Sequence, residues 1–324
     1  MKRGGVIIER ATVAKPRPKN SATPNLRFDF NAAVRGTRAD YPELKKHAMF
    51  VDAAGDRWSD IEETLDRLAV DEEDIAAVHK TFKDAKRLKT SFHIAVTRGG
   101  VEEPFSVVVF HADKFPLFGR QSGFTDDICS FDHETGHALT PLREGTPAEN
   151  IADAYAALRH LQRAGNDAEA LDYCAWKRAF IFVTTGKTSH LTTFTLDKII
   201  CDRKTADFIS LDPAEIAAVA KAYAKANTPS KKELEALADD FKSLRKKPLK
   251  DAFKRLARIT LSANDNSDTF YLGARVLKGA LKSGGATVDC EDINLIGHQW
   301  DRVREKLDAR IAGLPKGHPL KRLP

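Results

Sequence analysis

The chain has 324 residues, of which 42% are hydrophobic and 30% charged, a composition that excludes a fibrous or wholly disordered protein. Its length exceeds the usual size of one domain, so we expect one large domain with appendages or two unequal domains. The 52 basic residues outnumber the 46 acidic ones only slightly, and a formal charge of +6 spread over the chain does not predict nucleic-acid binding.

Cysteine usage and hydropathy indicate the compartment. The four cysteines, at positions 129, 174, 201 and 290, form neither a C-x-x-C pair nor a dense framework, so we expect reduced thiols. Near the amino terminus the longest apolar run is Val6-Ile7-Ile8, which is too short for a Sec signal peptide, and no stretch reaches membrane-spanning length. These features predict a cytoplasmic protein without a membrane anchor, and they carry no information on export through other signals.

The first third of the chain changes from a polar arm to helical periodicity. Residues 1–27 contain three prolines and little apolar material, which predicts a flexible basic arm. From Tyr41 to Arg87 the apolar spacing is helical, as in Ile61, Leu65 and Leu68.

Two β-rich runs follow, at residues 91–96 and 105–110, with turn residues Arg98-Gly99-Gly100 between them. They predict a hairpin and hence a small antiparallel sheet. A third β-like run occupies residues 180–183.

Beyond Asp212 the pattern is almost entirely helical. Asp212-Pro213-Ala214-Glu215 has the cap, the N1 proline and the N3 glutamate of a helix start. Residues 230–244 and 249–261 predict two further helices. We therefore predict an α+β protein with a core at 28–212 and a helical carboxy-terminal subdomain at 213–324.

The strongest chemical signal is His133-Glu134-Thr135-Gly136-His137. On a helix, histidines at i and i+4 share a face, so both imidazoles can bind one Zn²⁺. Glu134 then lies beside the metal-bound water and can take its proton as the water attacks a carbonyl. Gly136 would weaken a helix by about 1 kcal/mol relative to Ala, which close packing at the site would explain.

With this motif, residues 90–165 resemble the zincin metallopeptidases, including uncharacterised bacterial members of that group. The resemblance implies a zincin-like core, in which the helix with the HExxH motif follows a small sheet and a later helix supplies the third zinc ligand. The further histidine of the metzincin extension is absent between Leu139 and Gly145.

Two carboxylates on the next predicted helix are candidates for the third ligand. Glu149 and Asp153 are four residues apart, similar to the gluzincin element in which the Glu binds metal and the Asp orients a histidine. Thr146, Pro147 and Glu149, however, have the pattern of a capping box, which by itself would account for Glu149. Asp153 lies among alanines and resembles the third ligand of aspzincins, so we favour Asp153 and keep Glu149 as the alternative.

His190 is the candidate for a hydrogen-bond donor to the oxyanion of the tetrahedral intermediate, the role that zincins give to a His or Tyr. The alternative is a loop histidine without a role.

The sequence thus predicts a zinc-dependent hydrolase, expected to be a metallopeptidase that acts on a peptide or protein substrate. The alternative function is a non-catalytic helical protein whose basic helices after residue 230 contact nucleic acid or an acidic partner. An open coordination position would favour catalysis, because structural zinc sites are closed by four protein ligands.

Overall fold

The computed structural model describes residues 28–111, 123–140, 145–165, 167–282, 287–288, 291–292 and 295–323. The predicted basic arm, residues 1–27, lies outside this part of the chain.

A small sheet has three strands, β1 (Ala48–Asp52), β2 (Phe92–Arg98) and β3 (Val101–Phe110), in the order β1-β3-β2. The predicted hairpin is confirmed, since β2 and β3 pair antiparallel. The sheet as a whole is mixed and not antiparallel, because β1 pairs parallel to β3. Strand β1 was not predicted, because its five residues are too few to interrupt the helical periodicity of the residues around them.

Helices cover both faces of this sheet. The amino-terminal helices are α1 (Phe30–Asp40), α2 (Leu44–His47), α3 (Trp58–Arg67) and α4 (Glu72–Leu88). Because side chains alternate along a strand, Val107 and Val109 of β3 pack in one cluster with residues of α3 and α4. Val108 and Phe110 point the other way, into the main core, which contains Phe131.

Four helices form the middle of the chain: α5 (Gly123–Ala138), α6 (Thr146–Ala164), α7 (Glu169–Thr185) and α8 (Thr193–Asp202). The prediction of a strand at residues 180–183 is wrong, since these residues belong to α7. A short apolar run fits a buried helix as well as a strand, and Phe180, Phe182 and Val183 are buried in the main core.

The remaining elements are helical apart from one two-stranded ribbon. They are α9 (Pro213–Asn227), α10 (Lys231–Asp240), a 3₁₀ turn (Lys242–Leu244), α11 (Leu249–Ser262), α12 (Asp268–Lys282), β4 (Thr287–Val288), β5 (Glu291–Asp292), α13 (His298–Gly313) and α14 (Pro319–Arg322). The predicted capping box at the start of α9 is confirmed, because Asp212 accepts from the Glu215 amide and Glu215 accepts from the Asp212 amide.

Residues before and after position 212 are in contact. Helix α6 packs both on α5 and on α9. Separately, the Tyr41 hydroxyl donates a hydrogen bond to the carbonyl of Pro213 at 2.6 Å. The main hydrophobic core accordingly contains residues from before and after position 212. The fold is α+β, as predicted, and the described residues are mostly helical. Within the described residues, none of the helices has the length and apolarity needed to cross a membrane.

Candidate metal centre

The two histidines of the motif lie on one face of α5, as their spacing requires. Nε2 of His133 is 3.2 Å from Nε2 of His137. The rings are nearly perpendicular, with an interplanar angle of 87°. Both side chains are buried. The short distance between the two Nε2 atoms shows that the helix directs both imidazole nitrogens towards one point.

Glu149 on α6 brings a carboxylate to the same point. Its Oε2 lies 3.6 Å from Nε2 of His133, and its Oε1 lies 3.5 Å from Nε2 of His137. One donor atom from each of His133, His137 and Glu149 falls within 4.8 Å of the other two.

These separations fit a zinc ion. Ligands at 2.0–2.1 Å in a tetrahedral site are about 3.3–3.4 Å apart. The three contacts here measure 3.2, 3.5 and 3.6 Å. Two imidazoles and a carboxylate also form a donor set that suits Zn²⁺. The three residues could therefore hold this ion with little rearrangement.

Asp153 occupies a different place, behind His133. Its Oδ1 is 2.8 Å from Nδ1 of His133, a close polar contact and not a well-aligned hydrogen bond. Arg178 donates to both oxygens of Asp153, at 2.8 Å each, and Thr192 Oγ1 donates to Oδ2 at 2.5 Å. Burial raises the pKa of Asp153, but the charges of Arg178 and His133 outweigh burial and hold it below its usual range.

Glu149 therefore replaces Asp153 as the preferred candidate for the third ligand. The structure brings Glu149, and not Asp153, together with both Nε2 atoms. An ionised carboxylate beside Nδ1 of His133 favours a proton on that nitrogen, which leaves Nε2 as a lone-pair donor for a metal.

The capping box predicted for Glu149 is wrong. Helix α6 begins at Thr146 with Gly145 as its N-cap, at φ 99°, and it has no side-chain cap. Thr146 instead donates to the carbonyl of Thr188 at 3.1 Å. Because the helix starts one residue earlier than the box requires, Glu149 is its fourth residue and not its third, and the carboxylate reaches the histidines.

Glu149 is ionised in this environment. Burial would raise its pKa, but hydrogen bonds with His137 and His190 and the charges of His133 and Arg178 hold the pKa well below its usual range. A carboxylate kept in its anionic form by cationic and donor groups is suited to bind a cation.

A cavity of about 490 Å³ opens over these residues. Its lining includes both predicted catalytic residues, Glu134 and His190. Nδ1 of His190 is 3.0 Å from Oε2 of Glu149 and 3.1 Å from Nη1 of Arg178. All six residues predicted for the site thus lie in or next to one cavity, with Asp153 beneath its floor.

Two residues of this site were missed by the sequence analysis. His93 of β2 stacks on His137, with ring centroids 5.4 Å apart, and its Nε2 is 3.0 Å from Oγ of Ser106. Burial and, next, the neighbouring histidines lower the pKa of His93 to about 3, so its ring is neutral. Side chains alternate along β2, so His93 lies on the face opposite Phe92. This alternation was the sequence signal that could have indicated His93. Arg178 was not predicted because its contact with Asp153 is tertiary, between α7 and α6.

Gly136 allows α5 and α6 to approach closely. A Cβ at this position would lie 2.8 Å from Cα of Ala152 and 3.3 Å from Cβ of Tyr155. The glycine is therefore explained by helix packing directly beside the candidate metal ligands, as expected for close packing at the site.

Gly136→Ala is expected to lower the free energy of unfolding by about 1–3 kcal/mol, because backbone atoms of α6 must move to admit the methyl group. Gly36 of α1 is the matched control, since a Cβ there meets nothing within 4 Å. Gly36→Ala should stabilise the protein by about 0.5–1 kcal/mol through helix propensity. Urea unfolding of both variants measures this contrast, and equal effects at the two sites would refute the packing argument.

Comparison with known proteins gives no independent assignment. No family model matches the sequence, and neither a curated protein nor a solved structure matches it significantly.

Proposed function

We propose that this protein is a zinc-dependent hydrolase, and specifically a metallopeptidase. The observation that carries the proposal is the convergence of His133, His137 and Glu149 within 4.8 Å on the wall of a cavity that Glu134 also lines. The presence of Asp153 behind His133 supports a gluzincin-like arrangement, with Glu149 as ligand and Asp153 as its orienting partner.

His133, His137 and Glu149 would hold a zinc ion, which would supply a Lewis acid able to polarise a carbonyl oxygen and to acidify water. Glu134 accepts a proton from the attacking water and delivers it to the leaving amine. Nη1 of Arg178, which can only donate, faces Nδ1 of His190 at 3.1 Å, so a neutral His190 ring carries its proton on Nε2 and could donate a hydrogen bond to the developing oxyanion.

The open character of the site supports catalysis over a structural metal. Three ligands leave a coordination position vacant, whereas structural zinc sites use four protein ligands and are commonly rich in cysteine. In the described ranges, no fourth His, Cys, Asp or Glu joins the group.

The position of β2 at the edge of the sheet is an argument for a peptide as the substrate. Strand β2 is at one edge, and residues 90–93, at its start, line the cavity. An extended peptide can pair with such an edge through its main chain, which would draw it across the cavity beside Glu134.

Metal analysis of the purified protein tests this proposal first. We expect about one zinc ion per chain, and loss of zinc in His137→Ala because one of three ligands is removed. His298→Ala is the control, since His298 is exposed at the start of α13. A zinc-free protein that gains neither the ion nor thermal stability on zinc addition would overturn the proposal.

A further inference from the structure

Arg178 is a buried cation with an unusual number of site contacts. Its side chain is 8% exposed, and Nε and Nη2 each donate to Asp153 at 2.8 Å. Nη1 lies 3.1 Å from His190, and Nη2 lies 3.8 Å from Glu149. A planar guanidinium thus holds one carboxylate in a fixed fork while it touches two other groups of the site.

Thr192 completes the support of Asp153. Its hydroxyl donates to Oδ2 at 2.5 Å, while Oδ1 faces Nδ1 of His133 at 2.8 Å. The carboxylate is therefore held by two residues, on α7 and just before α8, and its free direction is towards His133.

We infer that Arg178 is a positioning residue. Together with Thr192 it fixes the Asp153 carboxylate, so that His133 presents Nε2 to the metal. This inference rests on the proposed function. It assigns to α7 a part in metal binding, although no α7 residue belongs to the group of three candidate ligands.

The sign of the effect separates positioning from simple electrostatics. A cation 3.8 Å from Glu149 repels a bound Zn²⁺. If charge alone mattered, Arg178→Gln would tighten zinc binding. If Arg178 positions Asp153, the same change weakens zinc binding, because the carboxylate loses its bidentate partner and His133 loses its fixed orientation.

Zinc titration of variants tests the inference. Arg178→Gln and Arg178→Lys should each lower zinc affinity about tenfold or more, as expected for loss of an outer-shell partner. Arg178→Lys keeps the charge and loses only the fork. In an Asp153→Asn background, Arg178→Gln should add little further loss, since Arg178 acts through Asp153.

Arg275 provides a matched control. It is equally buried, at 3% exposure, and it pairs with Asp172 at 2.6 Å and with Asp197 at 3.1 Å. Arg275→Lys should lower the melting temperature as Arg178→Lys does but leave zinc affinity unchanged. Equal loss of zinc affinity in the two lysine variants would show a general effect of destabilisation and overturn the inference.

Thr192→Val gives a milder variant that tests the same carboxylate if the Arg178 variants do not fold. A folded Thr192→Val protein should bind zinc more weakly, and unchanged affinity would count against the inference. Failure of the proposed function has a different signature, because then the unaltered chain would bind no zinc. If the unaltered chain binds zinc and Arg178→Gln binds it as well or better, only the positioning role is refuted.

Discussion

Glu134→Gln is expected to keep one zinc ion per chain and to lower peptide hydrolysis by about 10²–10⁴-fold. The reason is that an amide cannot accept the proton of the attacking water, whereas His133, His137 and Glu149 are unchanged. Cleavage of a mixture of casein peptides, followed by mass spectrometry, measures the activity, and elemental analysis measures the zinc.

Glu169→Gln serves as the control, because Glu169 is an exposed glutamate in the first turn of α7. It should retain both zinc and activity. Loss of zinc in Glu134→Gln would mean that Glu134 is itself a ligand, and full activity would remove it from the mechanism.

Glu149→Ala is expected to abolish zinc binding, whereas Asp153→Asn is expected to weaken it by about 10–100-fold. Glu149 supplies one of three donor atoms, while Asp153 acts through Nδ1 of His133. Isothermal titration of the metal-free proteins with zinc gives both affinities.

The two variants differ in stability as well. Asp153→Asn removes the charge of the carboxylate that buried Arg178 contacts at 2.8 Å, and breaking a buried ion pair costs about 3–5 kcal/mol. Zinc affinity should therefore be compared at a temperature where circular dichroism shows both variants folded. If Asp153→Asn loses the metal and Glu149→Ala keeps it, Asp153 is the third ligand and the gluzincin-like arrangement is incorrect.

The sequence could predict the part of the site that depends on spacing within one helix. His133, Glu134 and His137 have fixed relations on α5, so their geometry follows from helical periodicity alone. The hairpin of β2 and β3 and the capping box at Asp212 were predictable for the same reason, since both depend on local contacts.

The choice between Glu149 and Asp153 could not be made from the sequence. The local pattern at Thr146 favoured a capping box, but Thr146 bonds to Thr188, 42 residues away. The Asp153 carboxylate is similarly engaged by Arg178 and Thr192, which are 25 and 39 residues away. Such tertiary contacts override local preference, and one sequence does not reveal them. Strand β1 was missed on the same grounds, since its partner is β3.

Helix α6 is buried over most of its length and packs against α5, α8 and α9. The amide hydrogens in the middle of α6 are expected to exchange with solvent only when a large part of the fold opens, because neighbouring helices enclose them. Glu149 is in the first turn of this helix and lines the cavity. Exchange of a metal at this place would proceed through the mouth of the cavity and not through transient unfolding of the helix that binds it.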